Sequence, residues 1–254
     1  MYIDSHTHLS KKDYLSIDEV IKRAKDENVD YLIVSCCSMD DILEGQELLK
    51  KYKNIFLTIG LHPSESDNYN DNDLEKIKEL VTSNKRIIGI GEIGLDYYYG
   101  KENIDKQKEL FKKQLILAKE LNKPVVIHSR DAVLDTQNIL KEIGVKGVIH
   151  CFTGSLEVAN WYINNGYLIG IGGVLTFKNS KLSSVVEKIS LESIVLETDS
   201  PYLSPEPFRG KKNESKNIPI IANTIAKIKD VSIEEVANTT TDNIITLFDL
   251  DDLM

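Results

Sequence analysis

The chain contains five histidines, and each stands at or near the end of a short apolar run: His6 and His8 in Tyr2 to His8, His62 in Ile55 to His62, His128 in Val125 to His128, and His150 in Gly147 to Cys151. Glu92 and Asp199 close two further runs of the same kind, Ile87 to Glu92 and Ile194 to Asp199. One histidine at a strand end is an ordinary hydrogen-bonding side chain; five at the same kind of position ask for a common task. His6-Thr7-His8 sets two imidazoles at i and i+2, on one face of a strand, with Thr7 pointing the other way. Imidazole suits Zn, Mn and Fe, and carboxylates add preference for harder divalent ions. His6, His8, Glu92, His128, His150 and Asp199 together supply six candidate ligands. That is enough for two divalent metal ions, Mg, Mn, Zn or similar, with positions left open for chemistry.

A second group of residues could hold an anion. The stretch Pro205 to Asn213 carries Arg209, Lys211 and Lys212 and directly follows the run that ends in Asp199, while Arg130 follows His128. A charge run is usually a solvated face, but these cations stand beside candidate metal ligands. The arginine fork matches two phosphate oxygens at once. Two divalent ions would bring four positive charges against the two negative ones of Glu92 and Asp199, so the site would be net positive. Arg130, Arg209 and Lys211, together with His62, are therefore the candidate substrate-binding residues.

Other signals are weaker. Gly89 to Gly94 spells G-x-G-x-x-G, but a dinucleotide fingerprint must open directly into a helix, and the next helical pattern begins only near Ile104. The glycines are instead read as letting the chain pass close to a bound group while Glu92 points into the site. No Gly-x-Ser-x-Gly elbow occurs. Cys36, Cys37 and Cys151 are expected to be small packing residues, and Ser129 and Ser200 to serve in turns and loops.

The elements that must position these groups follow from the same runs. Tyr2 to His8, Tyr31 to Cys37, Ile55 to His62, Ile87 to Glu92, Val125 to His128, Gly147 to Cys151, Tyr167 to Gly172 and Ile194 to Asp199 read as eight strands. Helical periodicity lies between them, as in Ile17-Val20-Ile21-Ala24, and two more helices, about Ile218 to Lys229 and Ile233 to Phe248, follow the last strand. Alternation of this kind implies βαβ units and a parallel sheet, whose C-terminal edge is where active sites are built. In an open sheet of sequential order the first and eighth strands would stand roughly 34 Å apart, too far to share a metal. A closed (β/α)8 barrel of the TIM type makes them neighbours. No linker divides the chain, so residues 1–254 are read as one domain.

Composition agrees. With 254 residues, 41% of them hydrophobic, the chain can bury a large core without staples. A net charge of -9 argues against a broad basic surface for duplex nucleic acid, so an anionic partner needs a local site. No apolar stretch approaches the ~20 residues that span a bilayer. The N-terminus lacks a secretory pattern, and three cysteines, two of them adjacent, suit a reducing compartment; a soluble, cytoplasmic protein is expected. Nothing points to a protein partner.

Taken together, the motifs Asp4-Ser5-His6-Thr7-His8-Leu9, Gly60-Leu61-His62-Pro63, Gly91-Glu92-Ile93-Gly94-Leu95-Asp96-Tyr97, Ile127-His128-Ser129-Arg130, His150-Cys151-Phe152-Thr153-Gly154 and Glu197-Thr198-Asp199-Ser200-Pro201-Tyr202 resemble those of the TatD family of metal-dependent deoxyribonucleases, within the amidohydrolase-like barrels. The resemblance implies that His6, His8, Glu92 and Asp199 hold one metal, that Glu92 bridges to a second held by His128 and His150, and that Arg209 contacts substrate. It implies hydrolysis of DNA phosphodiester bonds, with Asp199 orienting the attacking water or taking its proton. The acidic surface favours single-stranded or frayed ends as substrate. Ser215 stands where the family usually has proline, which would loosen the loop around it. An amidohydrolase-type enzyme acting on a small amide, lactone or ester is the alternative, though such a substrate gives the basic loop nothing to neutralise. A non-enzymatic metal-binding protein would need no open position.

Overall fold

Long apolar runs can be buried on both faces only when helices cover both sides or close around them, and that is how these runs are used. The computed structural model describes residues 1–98, 100 and 102–254. Among them eight strands alternate with helices: β1 (Tyr2–Thr7), α1 (Ile17–Asp26), β2 (Val29–Cys36), α2 (Met39–Lys51), β3 (Ile55–Ile59), α3 (Asp71–Ser83), β4 (Ile87–Asp96), α4 (Ile104–Glu120), β5 (Val125–Arg130), α5 (Val133–Ile143), β6 (Gly147–Ile149), α6 (Leu156–Asn164), β7 (Tyr167–Ile171), α7 (Leu182–Lys188), β8 (Ile194–Leu196), α8 (Ile218–Lys229) and α9 (Ile233–Phe248). The strand order is β1 to β8, and the fold class is the expected (β/α)8 barrel.

The chain forms two compact units, residues 1–34 with 150–254, and residues 35–149. In the first, β1 pairs in parallel with β2, and β7 with β8. A parallel bridge between Thr7 and Ser200 sets the chain leaving β8 beside β1. In the second, β3, β4, β5 and β6 pair in parallel, each with the next. All six residues of β1 and all ten of β4 are buried, so neither strand has a wet face.

Local chemistry sets the helix starts. Ser16, Ser38 and Ser232 accept from the backbone N–H groups of Glu19, Asp41 and Glu235, satisfying donors the first turn leaves unpaired. Gly144 ends α5 in the left-handed region at φ 69°. Strand ends differ from expectation for equally local reasons. β4 runs on through Asp96, and Gly89 to Gly94 lie wholly inside it, so no helix opens from the glycines. β6 and β8 stop at Ile149 and Leu196, and soon after each the backbone turns left-handed, at Cys151 (φ 47°) and Asp199 (φ 54°). No helix among the described residues is long and apolar enough to cross a membrane.

Candidate functional site

The first unit gathers three of the five histidines and Asp199. Asp199 N–H donates to the His6 carbonyl at 2.9 Å, and His8 N–H donates to the Ser200 carbonyl at 2.7 Å, so the ends of β1 and β8 lie side by side. The His6 and His8 Nε2 atoms are 3.3 Å apart, as the same-face reading of His-x-His requires. Asp199 Oδ1 lies 3.7 Å from His6 Nε2 and 3.4 Å from His8 Nε2. The His6 ring stacks on that of His150, centroids 3.9 Å apart. Ligand atoms of His6, His150 and Asp199 all lie within 4.8 Å of one another. Burial raises the Asp199 carboxyl, but the His8 hydrogen bond and the neighbouring His150 and His6 outweigh it and hold the group below its usual range. The result is an ionised oxygen among imidazole nitrogens, a donor set that fits a divalent cation of the Zn or Mn kind.

Beneath these candidate ligands lies a layer of buried acids and hydroxyls. Asp4 accepts from Thr198 N–H (3.0 Å), Thr198 Oγ1 (2.6 Å) and His6 N–H (3.3 Å), which ties β1 to the end of β8. Burial pushes its carboxyl up to about 7 although bonds from Ser215 and Thr198 pull the other way. Glu197, fully buried, accepts from Cys151 N–H at 2.5 Å, and its Oε1 lies 3.5 Å from His150 Nδ1. A carboxylate behind an imidazole is the usual way to fix a ligand's ring and tautomer. Room for Glu197 comes from Gly170, where a Cβ would stand 2.4 Å from Glu197 Oε2.

The second unit carries the other set. Glu92 is 3% exposed; its Oε1 lies 2.8 Å from His128 Nδ1 and 3.9 Å from His62 Nε2, and its Oε2 accepts from Cys37 Sγ at 3.3 Å. The far ring nitrogen of His128 faces Asp96 Oδ2 at 3.0 Å. Burial raises the Asp96 carboxyl, but the hydrogen bonds from His128 and the Tyr98 N–H, with the His128 and Arg130 charges, together outweigh it and hold the group below its usual range. Ligand atoms of His62, Asp96 and His128 form a further group within 4.8 Å. Two glutamines on α4 fix the strand ends beneath: Gln114 brackets Leu61, accepting from its N–H (2.7 Å) and donating to its carbonyl (2.9 Å), and Gln107 does the same for Asp96 at 2.9 Å each.

The cations are placed on the surface. Arg209, Lys211, Lys212 and Arg130 are exposed. In the first unit the Arg209 guanidinium lies 4.5 Å from the Phe177 ring centroid; in the second, Arg130 lies 3.6 Å from that of Tyr98. Lys212 is committed elsewhere, donating to the Asp13 carbonyl and covering Tyr14. The loop that lacks the family proline is held instead by buried Asn213, whose Nδ2 donates to the carbonyls of Thr198 and Tyr202 at 2.8 Å each.

Some expectations need correction. Cys36 is buried, while Cys37 and Cys151 are half-buried: Cys151 lies outside the strand, and Cys37 is a hydrogen-bond donor to Glu92 rather than packing. Burial and the Glu92 charge push the Cys37 thiol well up, which keeps its proton in place. Ser129 is no turn residue but lies in β5, its hydroxyl 2.9 Å from that of Thr136, while Ser200 lies in the stretch after β8 as expected, buried against Thr7 and Thr198. Asp4, Asp96, Asn213 and Glu197 are the site residues that motif reading passed over. Asp4, Asp96 and Glu197 sit inside the quoted motifs, where a polar residue within or at the end of an apolar run is the signal that could have found them, and Asn213 closes the basic stretch.

A family profile described as "TatD related DNase" matches residues 3–249. The chain is 42% identical over 253 residues to the metal-dependent hydrolase YabD of Bacillus subtilis (strain 168), covering 98% of this chain and 99% of that protein. It superposes on the crystal structure of YjjV, a TatD homologue from Escherichia coli K12, with a TM-score of 0.90 at 28% identity and 98% of each chain covered. The D-hydantoinase of Thermus sp. matches with a TM-score of 0.64 at 16% identity, over 97% of this chain and 70% of that one, which shows a shared fold alone. With buried imidazole and carboxylate clusters on this barrel and a family match that spans nearly all of it, the chain belongs to the TatD family and is a metal-dependent hydrolase.

Proposed function

We propose that the chain hydrolyses phosphodiester bonds of DNA, preferring single-stranded or frayed ends, and that residues 1–254 act as one hydrolase domain in the cytoplasm. In this reading, carried by the motif resemblance, His6, His8, Glu92 and Asp199 hold one divalent ion, and Glu92, His128 and His150 a second. Divalent ions held there supply Lewis acidity, which draws charge from the phosphoryl oxygens and eases deprotonation of water at neutral pH. Asp199 stays ionised, so it can orient water or accept its proton. Asp96 and Glu197 hold the rings of His128 and His150 from behind. His62, Arg130, Arg209 and Lys211 neutralise and position the phosphates that flank the scissile bond.

The observation that supports a phosphodiester over a neutral amide is the segment leaving β8. It carries Asp199 at one end and exposed Arg209 and Lys211 further on, and Asn213 binds its two ends together. A neutral substrate would give that segment no anion to hold. The fold, shared with an amide-ring hydrolase, does not decide the matter. Side-by-side assays of the metal-loaded enzyme on an end-labelled oligonucleotide and on a panel of amides and lactones test it; turnover confined to the second panel would refute the proposal.

A further inference from the structure

Along the segment that leaves β8, the exposed aromatic side chains Tyr202 and Phe208 are followed by the exposed cations Arg209, Lys211 and Lys212, with Glu206 the one exposed acid among them. Tyr202 is 59%, Leu203 39% and Phe208 37% exposed, a concentration of large apolar groups within one short stretch. The Tyr202 ring is next to a candidate metal ligand, its centroid 6.2 Å from that of His8 at an interplanar angle of 66°. Lys211 Nζ stands 5.8 Å from the Phe208 ring, and Arg209 covers Phe177. This surface is held in place. Tyr202 N–H donates to the Asp199 carbonyl (2.9 Å), the Tyr202 carbonyl accepts from Asn213, and Glu206 N–H donates to Thr176 Oγ1 (2.8 Å). The Leu203 carbonyl passes so close to Gly173 that a Cβ there would stand 2.1 Å away. Leu203 itself is in the left-handed region at φ 52°, which a leucine adopts only when its surroundings require it.

A fixed, exposed ring beside imidazole and carboxylate ligands, with arginine and lysine following it, suits an occupant that is flat, apolar on its face and anionic along its edge. We infer that Tyr202 and Phe208 form a stacking platform for unpaired nucleobases, which positions the adjoining phosphate at the His6, His8, Asp199 cluster. The inference deepens the phosphodiester reading and rests on it. Every base has a π-face, so the platform accepts any sequence, with purines favoured by their area. It makes a single strand the better substrate, because in a duplex the base faces are already occupied by their neighbours. Charge complementarity selects a nucleic acid over an apolar peptide, since Arg209 and Lys211 follow Phe208 and are exposed beside it.

The test compares a short single-stranded oligonucleotide with one of the same length and phosphate number in which the bases are replaced by abasic residues. The metal-loaded enzyme should cleave both, with KM about tenfold higher for the abasic strand. Tyr202→Ala should raise KM for the ordinary strand about tenfold and leave the abasic strand unaffected, whereas Tyr202→Trp should restore wild-type KM. Phe208→Ala should act in the same direction. Quenching of 2-aminopurine fluorescence in a phosphorothioate-linked strand reads stacking without turnover, and it should weaken in Tyr202→Ala. Equal KM for both strands in wild type and Tyr202→Ala, with unchanged quenching, overturns the platform while leaving the phosphodiester reading intact. Failure of the loaded enzyme to cleave either strand overturns both.

Discussion

Asn213→Ala should destabilise the protein and disable it together. The side chain is buried and fully committed: Nδ2 donates to the carbonyls of Thr198 and Tyr202 (2.8 Å each), and Oδ1 accepts from Glu214 N–H (2.9 Å) and Asn217 Nδ2 (2.8 Å). Truncation strands the Thr198 carbonyl and the Asn217 amide, both of buried residues, at roughly 1–3 kcal/mol each, while the two partly wet bonds cost less. A total of about 3–5 kcal/mol follows, equivalent to roughly 10 °C in Tm for a chain of this size. Asp199 lies between the two carbonyls that Asn213 grips, so kcat should fall with stability. Asn213→Asp sharpens the test. It keeps the size and the acceptor but turns the donor into a second oxygen facing two carbonyls, so it should be at least as damaging as alanine. Protonation gives the carboxyl back one donor, so its deficit should shrink as pH falls from 8 to 5. Urea unfolding and steady-state kinetics at the two pH values would decide. An Asn213→Asp protein as stable and active as wild type at pH 8 would refute the pinning argument.

Glu92→Gln should lower kcat by roughly a hundredfold or more and reduce bound metal, because it removes the charge facing His128 at 2.8 Å; normal turnover with full metal content would end its assigned role. Arg209→Ala should raise KM about tenfold, roughly 1.5–3 kcal/mol, and flatten the salt dependence of binding, whereas Asp199→Asn should act on kcat; identical kinetic signatures would contradict the division of labour. Gly94→Ala should cost roughly 3 kcal/mol or more in unfolding experiments, since φ is 148° and the new Cβ would stand 1.9 Å from the His128 carbonyl on the neighbouring strand.

What the sequence makes legible follows from what each signal depends on. Apolar runs with helical stretches between them locate all eight strands, and α8 and α9 match at both ends, because burial on two faces leaves a continuous local pattern. Strand ends are harder: β4 continues to Asp96 because Gln107 binds both backbone groups of that residue from α4, a contact between residues 11 apart in sequence. The candidate ligands of the first unit are legible because His6, His8 and Asp199 lie at or just past strand ends that the Thr7–Ser200 bridge makes adjacent. The groups behind them are not. Glu197 and Asp4 read as polar interruptions of apolar runs, and only tertiary packing shows that one faces His150 and the other Thr198. Cys37 is opaque for the same reason: a cysteine at a strand end reads as packing, and only the fold sets Glu92 3.3 Å from its sulfur.

The central claim, metal-dependent phosphodiester hydrolysis, is tested most directly by metal analysis of the purified protein combined with digestion of an end-labelled single-stranded DNA, before and after chelation. The account predicts bound divalent metal, cleavage that chelation abolishes and Mg, Mn or Zn restores, and a fold that survives the cycle because the core does not depend on the ions. Undiminished cleavage by a protein verified to be metal-free, or none by a fully loaded one, would contradict it.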